Sequence, residues 1–206
     1  MTSQFDNYKH PWPEESLPTG DTDTAGNLAY APGVIVPNGF VSIVATLTRP
    51  NDTTAYAQYD LIADSTSAAA ATEFQNAVRQ NGQVFRAEKF RLRCSDPLIL
   101  GKTIRAHCWH TAPTLTVNDN GVFNASGAGN LAVSDVVGYV GFFDVTFDSA
   151  GTAGAVGRGI PSEGSAMFFK PASGTSVYAT YELRTAAGYT PVAQATFHGT
   201  FSGEWS

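Results

Sequence analysis

A chain of 206 residues with 43% hydrophobic and 12% aromatic content can bury one real core, and it has too many rings for a disordered chain. Its net charge of −6 excludes nucleic-acid binding by the chain as a whole, because phosphate contacts need a basic excess. No run approaches the ~18 apolar residues of a helical membrane span, and charged residues, at 15%, are sparse enough to suit a β protein whose surface is engaged in contacts.

Residues 1–39 read as an extended arm. Pro11, Pro13, Pro18, Pro32 and Pro37 fall here, each removing a backbone donor and pushing its predecessor towards extended backbone. No period of 2 or 3.6 runs through the segment. Yet it carries Phe5, Tyr8, Trp12, Leu17 and Tyr30, more large apolar groups than a solvated tail needs, so the arm is expected to dock on its own domain, a sister subunit or a partner. The opening MTSQFDNYKHPWPEE lacks the charged-then-apolar pattern of a secretory signal. Maturation in a cytoplasm is therefore expected, with Cys94 and Cys108, on neighbouring strands, as free buried thiols.

From residue 40 the pattern is strands and turns, and residues 40–206 are expected to form one domain. Val41, Ile43, Ala45 and Leu47 alternate with Ser42 and Thr46. Arg49-Pro50-Asn51-Asp52 then reads as a turn, with Asp52 capping the loop, before a short run at 56–63. Residues 68–80 place Ala70, Phe74, Ala77 and Val78 at helical spacing and are either a short helix or a strand. In 84–94, Phe90, Leu92 and Cys94 alternate with Lys89, Arg91 and Arg93. In 104–110, Ile104, Ala106 and Cys108 share a face. Residues 136–147 are apolar on nearly both sides, as in a central or interface strand. Segments 166–170, 177–184 and 192–202 complete about eight strands, the number of a jelly-roll-like β-sandwich. Residues 111–135 and 148–165, rich in Gly, Ala, Ser and Asn, read as loops, with a strong turn signal in NDNG at 118–121.

The chain shows little catalytic chemistry. There is no GxSxG elbow, and LGKT at 100–103 lies between strands, without the first glycine or the helix of a phosphate loop. His107-Cys108-Trp109-His110 with Cys94 invites a zinc test, but alternation turns Cys108 and His110 one way and His107 the other, and a fourth ligand is missing unless His198 supplies it. Asp60, Asp64 and Asp119 read as turn and strand-end caps rather than a calcium loop. No metal, cofactor or catalytic residue is assigned, and no enzyme is expected. Seven of the 12 basic residues lie between Arg79 and Arg105. Lys89, Arg91 and Arg93 project from one strand face. They are either solvated and paired with acids on adjacent strands, or a contact for an acidic partner or sister subunit. Trp109, Tyr139, Tyr178 and Tyr181 offer an alternative sugar platform, the reading of a receptor- or carbohydrate-binding module of a tail fibre or capsid spike.

The phrases LTRPNDTTAY at 47–56 and DLIADS at 60–65, and more loosely FRLRC and IRAHCWHTAPT within 90–114 and AAGYTPVAQATFHGTF at 186–201, resemble head-associated proteins of tailed bacteriophages, among them the capsid decoration, or cement, proteins. The resemblance implies a non-catalytic structural virion protein that binds the major capsid protein on the shell exterior, assembled in the host cytoplasm. It also implies a homotrimer without nucleic-acid or membrane partners, and makes the arm aromatics and Lys89, Arg91 and Arg93 the candidate capsid or subunit contacts. One departure is visible: where such proteins commonly place a glycine before the following strand, this chain has Gln58-Tyr59.

Overall fold

The computed structural model describes residues 39–123, 138–162 and 164–205; the arm, and with it Phe5, Tyr8, Trp12, Leu17 and Tyr30, lies outside the described residues. Ten strands follow one another: β1 Phe40–Thr48, β2 Leu61–Ile62, β3 Thr72–Phe74, β4 Phe85–Cys94, β5 Thr103–Trp109, β6 Tyr139–Gly151, β7 Gly154–Gly159, β8 Met167–Phe169, β9 Val177–Leu183 and β10 Thr196–Trp205. One 3-10 turn, Pro97–Ile99, is capped by Asp96, whose carboxylate accepts from the Leu98 N–H.

All pairings are antiparallel. The sheet runs β1-β10-β4-β7-β6-β5-β9-β2, with β3 beside β9 and β8 beside β4. It curls until its two halves face each other, giving an all-β, jelly-roll-like sandwich. The alternation read from sequence holds: Ile43, Leu47, Phe90, Leu92, Ile104, Ala106, Tyr181, Leu183, Phe197 and Phe201 are buried in one core. Its centre is aromatic. Phe201 packs edge-on against Phe74 at 4.6 Å between centroids and lies 4.7 Å from Phe90. Rings of this size dominate core energetics, each burying 150–250 Å² as a rough figure.

Three expectations need correction. Residues 148–165 are not one loop: β6 runs on to Gly151 and β7 pairs with it. The inward positions of β7 include Gly157 and Gly159, so its alternation carries almost no apolar signal. Those positions must be small, because a Cβ on Gly157 would lie 2.4 Å from the Thr146 carbonyl oxygen and one on Gly159 would lie 2.8 Å from that of Asp144. Second, of the two readings of 68–80 the helix falls and the strand holds in part, as the short β3 among turns. Phe74, Ala77 and Val78 are buried all the same, so helical spacing coincided with core demand. Third, Cys94 and Cys108 are free and buried but not on neighbouring strands, since β7 and β6 stand between β4 and β5.

Gly157→Ala is expected to destabilise by about 1–3 kcal/mol through overpacking. Gly151→Ala, where an added Cβ meets nothing within 4 Å, is expected to be near neutral. Urea unfolding midpoints check both.

Candidate functional site: a cationic outer face

The turn after β1 forms a buried polar seam. Arg49 is 2% exposed, and its Nη2 donates to Asp119 Oδ2 at 3.0 Å, both side chains being fully buried. Its Nε donates to the Tyr56 hydroxyl, which in turn donates to Asp119 Oδ1 at 2.6 Å. Asp119 also accepts from the Ala63 N–H at 2.8 Å. Tyr56 stacks on Tyr189, whose hydroxyl donates to buried Asp96. Asp52 caps the turn by accepting from the Thr54 N–H at 3.0 Å, as read from sequence, and that bond leads the causes that hold its carboxyl below the ordinary range. Asp60 and Asp64 likewise accept from the Ala57 and Ala70 N–H groups. Asp119 is more than a turn cap: it is the counter-ion of Arg49. Tyr59 takes a left-handed φ of 74°, the conformation for which glycine is the ordinary choice. Tyr59 thus stands at a position that favours glycine, with the Arg184 guanidinium 4.7 Å over its ring.

On the outside of β5 and β9, His107 Nε2–H donates to Glu182 Oε2 at 2.7 Å, and Nδ1 accepts from the Tyr139 hydroxyl at 3.1 Å. Arg184 completes the set, donating to Glu182 Oε1 at 3.0 Å. Burial holds the His107 imidazole below its ordinary pKa despite the carboxylate, so it sits neutral. Burial pushes the Tyr139 phenol up, which makes it a hydrogen-bond donor rather than a nucleophile. Cys108 points into the core, away from His107, and no group of three metal-ligating side chains converges among the described residues. Trp109 and Tyr181 are fully buried, one in a small cluster with Leu61, Ala63 and Phe123 and the other in the main core, so the four rings do not form an exposed sugar platform.

The outer face of β1, β10, β4 and β7 is different. Register sets Val44, Thr200, Arg91 and Arg158 side by side across the four strands. The next row is Thr46, His198, Arg93 and Val156, and on the other side lie Ser42, Ser202 and Lys89. Lys89, Arg91, Arg93 and Arg158 are all exposed. The sequence reading offered acids on adjacent strands as their plain explanation; the neighbours are instead hydroxyls, a histidine and a further arginine. Other cations are matched: Arg105 forms a two-pronged pair with Asp144 at 2.7 Å, and Arg86 pairs with Glu88 and Glu204. Among the described residues, Lys89, Arg91, Arg93 and Arg158 form no ion pair. Like charges directly opposite, as in Arg91 and Arg158, are destabilising, so the face carries a cost that an anionic neighbour would relieve. Lys89, Arg91 and Arg158 line a groove of about 520 Å³ with Ser42, Thr200, Ser202 and the exposed Ile160, and Val44 on β1, opposite Thr200, and Phe168 on β8, opposite Arg86, are further exposed apolar groups. Arginine with exposed apolar and aromatic groups is the composition of a protein contact surface. Arg158 escaped the sequence reading because its strand did; the period-2 placing of Val156, Arg158 and Ile160 between Ala155, Gly157 and Gly159 was the available signal.

No family model matches the chain, and no curated protein matches it.

Two predictions follow from the buried groups. Asp119→Ala strands the Arg49 guanidinium in the core and is expected to cost about 3–5 kcal/mol, with Arg49→Met/Asp119→Leu recovering much of it; denaturant titration of both variants checks this. His107 has a folded pKa below its unfolded value of ~6.5, so the unfolded chain binds the proton more readily. Stability from this group is complete above ~6.5 and falls as pH drops towards the folded pKa. The wild-type melting temperature should therefore fall between about pH 7 and 5 more steeply than that of His107→Gln.

Proposed function

We propose that this chain is a structural protein of a phage particle that binds the outer surface of the capsid and stabilises the shell as a cement, or decoration, protein. The observation that carries the reading is the uncompensated cationic face of β4 and β7. A protein that acts alone gains nothing from setting Arg91 against Arg158, whereas one that covers an acidic surface gains charge complementarity and faster encounter. The residues behind the family resemblance, 47–56 and 60–65, support the reading through the fold: they build the buried seam that holds the domain together. A shell offers many identical sites, so contacts of modest strength add up when several subunits bind together as a trimer. A trimer also suits a local threefold axis of an icosahedral shell.

The test uses reversed charges. Lys89→Glu/Arg91→Glu/Arg158→Glu should fold as well as wild type, since it only exchanges one exposed like-charge pair for another, yet lose at least about tenfold in co-sedimentation with capsids, at roughly 0.5–1 kcal/mol per contact. Lys102→Glu, outside the face, should bind as wild type. Undiminished binding of the folded triple variant would overturn the reading.

A further inference from the structure

The cationic face has a match in charge within the same chain. Residues 1–38, outside the described residues, hold Asp6, Glu14, Glu15, Asp21 and Asp23 against Lys9 alone. That is 1 − 5 = −4 of the chain's −6, leaving −2 for the rest. Four of these acids fall within EESLPTGDTD at 14–23, a stretch with no cation. Four unpaired cations face them in number: Lys89, Arg91, Arg93 and Arg158. The apolar side matches too, since Trp12 and Leu17 flank or interrupt the acids, while Ile160, Phe168 and Val44 stand exposed at 71%, 58% and 59%.

Resting on the reading of this face as a contact surface, we propose that the acidic segment 14–23 of one copy lies across the cationic face of a second copy, so that the arm links subunits. Sixteen residues separate Asp23 from Phe40, a length of chain sufficient to reach a second copy. The contact also supplies the carboxylates that the neighbours of Arg91 and Arg158 on β10 and β7 do not: guanidinium groups pair carboxylates bidentately, and each pair that forms relieves the repulsion of Arg91 and Arg158. Two subunits exchanging arms in this way tie each other twice, and three around an axis close a ring.

The experiment measures self-association of the full chain by light scattering, with no capsids present. Wild type is expected to be oligomeric at low salt and to dissociate in about 0.5 M salt, where the screening length is a few ångströms. An arm variant (E14K/E15K/D21K/D23K) and a face variant (K89E/R91E/R93E/R158E) should each be monomeric, with circular dichroism like that of wild type. Mixed together, the two should associate again, because each then offers the charge the other lacks. A monomeric wild type, an undiminished oligomer in either variant, or two variants that fail to recover association on mixing would each overturn the inference, the last by assigning the arm to its own domain. Capsid co-sedimentation of the same proteins keeps the two readings apart. Self-association lost with shell binding intact in the arm variant sustains the arm contact and removes it from the shell function, whereas the same outcome in the face variant removes the shell reading. Wild type that associates but ignores capsids removes the shell reading alone.

Discussion

Burying the Arg49 guanidinium is the constraint on which the rest of the domain depends. A charge taken fully out of water is costly unless every donor is matched. Here the match comes from three directions: Asp119 from the loop ahead of β6, Tyr56 from the run before β2, and the Asp52 carbonyl from the turn itself. Because Asp119 also holds the Ala63 N–H and Tyr56 stacks on Tyr189, one ion pair joins segments that lie far apart along the chain. Shifting any of them by an ångström would leave a buried donor without its acceptor. The seam therefore selects one closure of the curled sheet among the many that an aromatic core alone would accept.

The fold was legible where each strand carries apolar side chains on one face only. Val41 to Leu47, Phe90 to Cys94, Ile104 to Cys108 and Val177 to Leu183 all alternate, and all are strands with the inward set buried. β7 was illegible because its inward positions are filled partly by glycine: the space was already taken by the backbone of β6, and hydropathy does not register a position defined by lack of room. At 68–80 the core took Phe74, Ala77 and Val78 from turns, where spacing carries no meaning. Part of the site was legible in the same way. Alternation put Lys89, Arg91 and Arg93 on one face, but what lies opposite them is a matter of strand order. Nothing local indicates that β4 sits between β10 and β7, or that Asp119, 70 residues away, neutralises Arg49.

Two treatments of charge coexist in this domain. Arg49, Arg86 and Arg105 have carboxylates within reach, and Arg105 also lies 3.7 Å over the Phe142 ring. Lys89, Arg91, Arg93 and Arg158 have none among the described residues, although they stand on strands directly beside or near the paired ones. The contrast sits on one continuous sheet, so it does not arise from a general shortage of acids. On the reading proposed above, it marks a surface whose electrostatic balance is completed from outside the domain, with strength set by ionic conditions and by the number of copies present.

β1 holds nine consecutive partners on β10, from Phe40 with Glu204 to Thr48 with Thr196. A pull applied there along the strand axis meets the ladder in shear, loading its hydrogen bonds together, whereas a pull across the strand would open them one pair at a time. Resistance to such a load is governed by the rate of forced unfolding rather than by equilibrium stability. The β1–β10 ladder can thus hold tension along its axis far longer than the modest energy of any single hydrogen bond in it would suggest.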